Sequence, residues 1–320
     1  MTQITIPFIG SRHVDRSIQV NGQRCVNWYP TLEGDGAESV LTLNPTPGYT
    51  QRVVGGNGPC RSDLVTFADN LYWVSGAQVM KMTSGEVVTA VGTLTTTAGR
   101  CYLAAGRTKL MVVDGTFGYS CDGSALTKIV DANFPASPVD CNYLNGFFLV
   151  CSSGSDEWRI SSSEDPTTWP DLYFLTADAK SDDAQRIITT TRDIYVVGDI
   201  STQVYYPVDN PDIPFALYTN GVLEFGCVAP ASVARVGANI FMLAQRENGD
   251  PTVLMVNGFT AQPIGDSDLA YTFEQMTTLS DAEGYAYIDN DQTFYVLTFP
   301  SEDLTIVYHL EQGMWHDRAT

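Results

Sequence analysis

Catalysis needs titratable groups that converge on one point, and this sequence offers few of them at useful spacings. Its three histidines are His13, His309 and His316. None forms an HxxxH or His-x-His pair that could set two imidazoles on one metal ion. There is no Gly-x-Ser-x-Gly turn, no phosphate-cradling glycine loop and no Cys–His pair at a recognisable spacing. Asp289-Asn290-Asp291 invites comparison with a calcium loop. The run continues through Gln292 and Thr293, however, with no glycine at its sixth position and no glutamate at its twelfth. Asn and Asp are turn formers there. The expectation is a chain without a catalytic residue, a metal or a cofactor.

The enzyme class to weigh is glycoside hydrolysis, which needs two carboxylates flanking one bond or a tyrosine nucleophile backed by a carboxylate. With 37 acidic residues, carboxylate pairs are inevitable and decide nothing. Ser163-Glu164-Asp165-Pro166-Thr167-Thr168-Trp169 is faintly similar to the Asp-box turn of sialidases. It is one residue short, lacks the glycine and occurs once, and that turn is structural in any case. A carbohydrate-active propeller, glycosidase or lectin, acting on bacterial surface polysaccharide is the alternative function. Aromatic residues outside regular strands are better candidates for partner contact. With their neighbours they give six candidate interface residues, Asn27, Trp28, Tyr29 and Pro30 in the N-terminal stretch, and Asp165 with Trp169 in the middle.

Charge narrows the partners. Lys and Arg number 17 against 37 Asp and Glu, a net charge of -20. Nucleic-acid affinity comes largely from cations displacing counterions on phosphate. The four lysines, Lys81, Lys109, Lys128 and Lys180, are scattered, so sequence-specific nucleic-acid binding is not expected. An acidic surface favours solubility, and acidic walls along a DNA passage would keep DNA from sticking. The seven cysteines are odd in number and form no CxxC. They read as free thiols of a protein made in a reducing cytoplasm. The first residues, Met1 to Pro7, do not read as a signal peptide. No apolar run is long enough to span a membrane.

Hydrophobic residues at 44% and charged residues at 17% supply a large core, and a repeat shows how it is built. Six apolar quartets recur: Leu71–Val74, Leu110–Val113, Phe147–Val150, Ile194–Val197, Ile240–Leu243 and Phe294–Leu297. Each has a strand-like segment before it, such as Leu64–Phe67 or Tyr285–Ile288. Each has another after it, such as Val79–Met82 or Ile306–Tyr308, and usually a weaker fourth, such as Val87–Val91. Four short strands per unit of about 40–45 residues is the pattern of a propeller blade. The quartet is then the strand covered on both faces. Two stacked β-sandwiches would give similar strand spacing. The predicted fold is all-β: a β-propeller of about six four-stranded blades over residues 61–320, preceded by an extended arm over 1–60. The spacing predicts one helix, Leu269 to about Met276, capped by Ser267 or Asp268. The arm predicts short strands at Gln3–Ile6 and Val40–Leu43. One of these could pair into the last blade and close the ring, or the arm could reach a neighbouring subunit.

Two stretches resemble a known family. Arg24-Cys25-Val26-Asn27-Trp28-Tyr29-Pro30, followed by Leu43-Asn44-Pro45-Thr46-Pro47-Gly48-Tyr49, is similar to the opening of the phage packaged DNA stabilisation proteins, the tail-hub or tail accessory factors of short-tailed bacteriophages. The run from Ile160 through Trp169 to Asp193–Gly198 and Thr202–Tyr206 resembles that family's central two blades, and Pro251–Gly258 resembles the next. The resemblance implies a virion protein assembled in the host cytoplasm. It implies a hexameric ring of copies below the portal-side adaptor ring, holding a tail needle or plug and presenting surfaces to tailspikes or fibres. The implied role is to retain packaged DNA until infection, and no catalytic residues carry over. Family members usually continue beyond a sixth unit, whereas this sequence ends at Trp315–Thr320. Either the arm helps close the propeller here, or a C-terminal portion is absent.

Overall fold

The structure is a computed structural model that describes residues 11–14, 22–32, 41–210 and 213–319. The chain divides into two compact units, residues 1–49 with 227–320, and residues 50–226. The predicted Gln3–Ile6 strand lies outside the described residues.

Residues 50–226 hold four antiparallel sheets of four strands, each laid down in chain order. The first is Val65–Phe67, Asn70–Ser75, Gln78–Met82 and Val88–Thr93. The second is Tyr102–Ala105, Leu110–Val113, Gly118–Cys121 and Leu126–Lys128. The third runs Pro138–Leu144, Phe147–Ser152, Glu157–Ile160 and Phe174–Thr176. The fourth runs Ala184–Thr189, Ile194–Gly198, Thr202–Pro207 and Phe215–Leu223. Each predicted quartet in this unit is the second strand of its sheet.

The reason those strands are apolar throughout is visible in what their alternate residues touch. Side chains on a strand alternate between faces. Leu110 and Val112 pack with Phe67, Tyr72 and Val74 of the first sheet. Met111 and Val113 point the other way, to Phe148 and Val150 of the third. Leu149 and Cys151 face Ile194 and Val196 of the fourth. A strand buried on both faces loses its polar alternation.

The turn between first and second strands runs through positive φ. Ala68 and Asp69 (47° and 60°) and Asn145 and Gly146 (51° and 90°) fill the two-residue loops. Two positive values in succession make the primed turn whose twist matches the strands it joins. In the other unit Asn290 and Asp291 (49° and 61°) do the same, so the acidic run there is a hairpin tip.

Polar side chains tie the first strands of successive sheets together. The buried Asp140 carboxylate accepts from Ile187 N at 2.7 Å and Cys141 N at 2.8 Å and pairs with Arg186 at 3.1 Å. Arg186 lies 4.1 Å from the centre of the Tyr102 ring. Three sheets thus meet at one buried ion pair. Burial raises the Asp140 carboxyl to about 6, while Arg186 and the two amides pull it down.

The other unit holds two further large sheets, besides two two-stranded ones. One has Ala234–Val236, Asn239–Gln245, Thr252–Asn257 and Thr260–Pro263, extended by Gly226–Cys227. The other has Glu283–Asp289, Gln292–Phe299, Leu304–His309 and Met314–Arg318. Between them lies the predicted helix, at Ser267–Gln275. Its N-cap is Asp266, whose carboxylate accepts from Leu269 N at 2.9 Å. Ser267 and Asp268 are already in the first turn, so the cap sits one residue before the two expected. The helix lies over the shared core through Leu269 and Phe273.

Removing one partner of a buried ion pair strands the other charge, at about 3–5 kcal/mol. Arg186→Ala is expected to destabilise the chain by about that much in denaturant unfolding curves, and Arg159→Ala, whose partner Glu157 is half-buried, by less than about 1 kcal/mol.

Candidate functional site

The N-terminal arm meets the last sheet, and this contact is held by buried ion pairs and hydrogen bonds. Met314–Arg318 is the edge strand of that sheet, and an edge strand exposes a row of unpaired backbone groups. The arm covers it. Arg12 N donates to Trp315 O at 2.8 Å. Further along, Cys25–Asn27 runs parallel to it: Asp317 N donates to Cys25 O at 2.8 Å, and Asn27 N donates to Asp317 O at 2.9 Å. The edge is therefore paired within the chain by Arg12 and Cys25–Asn27, and not by the predicted Val40–Leu43 segment. Leu41–Pro45 instead forms a hairpin with Trp28–Leu32.

Asn27 fixes the end of this pairing. Its Nδ2 donates to Ala319 O and its Oδ1 accepts from Ala319 N, both at 2.9 Å. Its φ of 58° turns the chain into the hairpin, a conformation Asn adopts more readily than most residues. Tyr29 then packs on the face of the sheet, 5.1 Å from Phe294 and 5.4 Å from His309 between ring centres. Pro30 is buried, and Trp28 is 47% exposed. Of the candidate interface residues in the arm, Trp28 alone offers a large surface, while Asn27, Tyr29 and Pro30 serve the contact with the last sheet.

The other pair divides. Asp165 holds its turn, accepting from Thr167 N at 2.9 Å and from the hydroxyls of Thr167 and Thr168. Trp169 is 1% exposed and packs on Phe134, with Nε1 donating to Pro166 O at 2.8 Å. It is a core residue with no surface to give a partner. The turn folds back on itself through Ser162 and Thr168, and this buries the ring.

Sequence inspection missed the charged centre of the arm contact. The Asp317 carboxylate is buried and pairs with Arg12 at 2.7 Å and Arg24 at 2.5 Å. Arg12 continues to Thr272 of the helix at 2.9 Å. Next to it, Arg318 donates to the hydroxyls of Tyr49 and Tyr287, each at 2.7 Å, and Tyr49 meets Tyr285 hydroxyl to hydroxyl at 2.8 Å. The residues come from opposite ends of the chain, so no local spacing announced them. A cavity of about 500 Å³ opens beside them, lined by Arg24, Tyr49, Tyr285, Asp303, Asp317 and Arg318 among others.

Two buried imidazoles lie under Tyr29. Burial lowers His316 to about 3, with Arg318 and His309 adding to the effect. His309 is also lowered by burial, against the pull of Glu311. Both are neutral core groups. Among the described residues, no three His, Cys, Asp or Glu side chains are placed to hold a metal ion.

Comparison with known proteins fixes the class of this architecture. The family described as bacteriophage P22 Gp10, beta-propeller, matches residues 4–316. The chain belongs to this family. It is therefore one of the phage-stabilising β-propellers, a class of virion protein. No curated protein matches the chain. Among solved structures, the Pan2 WD40 domain of Neurospora crassa is similar with a TM-score of 0.52 at 10% identity, over 82% of this chain and 79% of that one. The extracellular domain of BT4673 of B. thetaiotaomicron is similar with a TM-score of 0.51 at 12% identity, over 90% of this chain and 39% of that one. At such identities the likeness is of fold alone.

A histidine whose folded pKa is depressed contributes stability that is complete above its unfolded value near 6.5 and is lost as the pH falls toward the folded value. Thermal melts are expected to show the chain weakening as the pH drops from about 7 to about 4.5, and His316→Phe to flatten that loss. Asp140, whose pKa is raised, works in the opposite sense over part of this range, so the comparison of variant with parent isolates the histidine.

Proposed function

We propose that this chain is a structural hub of a short-tailed phage tail, joining the portal-side adaptor ring to the distal tail and helping to retain packaged DNA. Membership of the P22 Gp10 family across residues 4–316 carries this reading. The six four- or five-stranded sheets are taken as its blades. Copies of the chain would form a hexameric ring around the channel, with a needle or plug held centrally and tailspikes or fibres docked outside. It would be made in the host cytoplasm and reside in the virion tail.

Two features support a structural rather than a catalytic role. The polar groups of the arm contact are engaged in holding the fold: Asp317 is clamped by two guanidinium groups and Arg318 by two phenols. The balance of 37 acidic against 17 basic residues also opposes adhesion to DNA, which suits a wall that DNA must pass. Trp28, exposed on the arm hairpin, is the residue proposed to contact a neighbour in the assembled tail.

The test is deletion of the gene from the phage that encodes it, with imaging of purified particles and measurement of retained DNA. Heads that fill and then empty, lacking the distal tail, are the expected outcome. Full particles with normal tails would overturn the hub reading.

A further inference from the structure

The cavity beside the arm has a chemistry that holding the fold does not require. Its aromatic wall is open: Tyr49 is 68% exposed and Tyr285 43%. Their hydroxyls meet each other at 2.8 Å, which sets the two phenols side by side rather than packed away. A second, shallower depression of about 310 Å³ shares Tyr49, Tyr285 and Arg318 and adds Pro47 and Ile288. The two phenols thus form a ridge between two hollows.

The polar groups around the larger hollow are mixed in sign. Arg24 reaches the rim with its side chain 56% exposed. Arg318 lies in the wall, 8% exposed, with its Nε buried and without a hydrogen-bond partner among the described residues. Asp303 is exposed, and its carboxylate makes no hydrogen bond or ion pair among the described residues. Thr298 and Thr305 add hydroxyls 3.1 Å apart. A ligand here has to donate hydrogen bonds, to Asp303, and accept them, from the guanidinium groups and hydroxyls. It also has to present a flat apolar surface to the phenol rings. A simple anion fails the first demand, since Asp303 and a chain of net charge -20 repel it. An aliphatic ligand fails the second, because it would cover the Arg24 guanidinium and the threonine hydroxyls without pairing them. A neutral sugar ring meets all of them: hydroxyls that both donate and accept, and C–H faces that stack on tyrosine.

We propose that the cavity between the arm and the last sheet is a binding site for a neutral saccharide. Its volume, about 500 Å³, is in the range of small-ligand sites and suits a short oligosaccharide. The site binds without cleaving. Hydrolysis would need two carboxylates free to act across one bond, and Asp317 is held by Arg12 and Arg24. This inference is independent of the hub assignment: a hub can carry such a site, and a failed site leaves the family role untouched.

The experiment is binding of the purified full chain to a printed array of bacterial oligosaccharides, both neutral and uronic-acid-containing, followed by titration of the best neutral sugar. Asp303→Asn keeps a residue that tolerates the φ of 49° at this position, so it changes the site with little effect on folding. Tyr285→Ala removes half of the aromatic ridge. Retention of neutral sugars, with at least about tenfold weaker binding by both variants at unchanged thermal midpoints, is the expected result. If Tyr285→Ala lowers the midpoint, Asp303→Asn alone decides. No retention on the array, retention of acidic sugars only, or binding that Asp303→Asn leaves unaltered would each overturn the proposal.

Discussion

Each sheet depends on a second strand that is buried on both faces. A single four-stranded sheet can bury one face at most by its own folding. The second strands, such as Leu110–Val113 and Ile194–Gly198, are buried from end to end. Their backbone groups can only be satisfied by the strands on either side, and their side chains only by two other layers of protein. The sheets are consequently obliged to stack. Leu110 and Met111, neighbours in sequence, lie in different core clusters. Most of the core follows from that alternation, and the buried polar clamp at Asp140 and Arg186 adds registration rather than bulk stability, since a buried ion pair does little more than offset its own desolvation.

The last sheet meets the same demand with a different neighbour. One face packs against the preceding sheet through Tyr295, Leu297, Ile306 and Trp315. The other carries Phe294, Val296 and Val307, which are covered in part by Tyr29 from the arm and by Tyr287. The arm also supplies backbone partners to the edge strand. It thus acts as face cover and edge cover at once, and this explains why Asn27, Tyr29 and Pro30 follow one another: a turn, an aromatic plug and a buried ring that holds the hairpin. The same arrangement explains the two buried histidines. His309 stacks on Phe294 at 4.8 Å between ring centres, so here the imidazole is used as an aromatic ring.

What the sequence made legible was whatever repeats or stays local. The six quartets, their partner strands and the hairpin turns are short-range patterns, and each appears as a strand or turn at its place. The helix was legible for the same reason, with its cap displaced to Asp266 because Asp, Ser and Asp are consecutive and all three residue types cap well. The arm contact was not legible. Arg12, Arg24, Tyr49, Asp303 and Asp317 lie up to about 300 residues apart, and an isolated arginine or aspartate carries no sign of its partner. Trp169 misled for a related reason. A tryptophan outside any strand looks exposed until the turn that buries it is seen, and that turn depends on Asp165 binding three donors close in sequence.

Why the open side of the arm contact should keep exposed tyrosines follows from the difference between holding and meeting. Groups that only hold the fold are turned inward onto their partners, as Asp317 is onto two arginines and Asn27 onto both backbone groups of Ala319. Tyr29 holds the fold too, and burial together with Asp289 raises its phenol pKa. Tyr49 and Tyr285 differ, because their hydroxyls are engaged while their ring faces stay wet. An exposed phenol whose orientation is fixed by Arg318 has already given up most of its rotational freedom. A ligand stacking on it then pays little further ordering cost, which is the usual condition for a rigid aromatic to bind well. The clamp that fastens the arm thereby also prepares the ridge, and fastening and preparation cannot be separated at Arg318, whereas Asp303 faces the same hollow and takes part in neither.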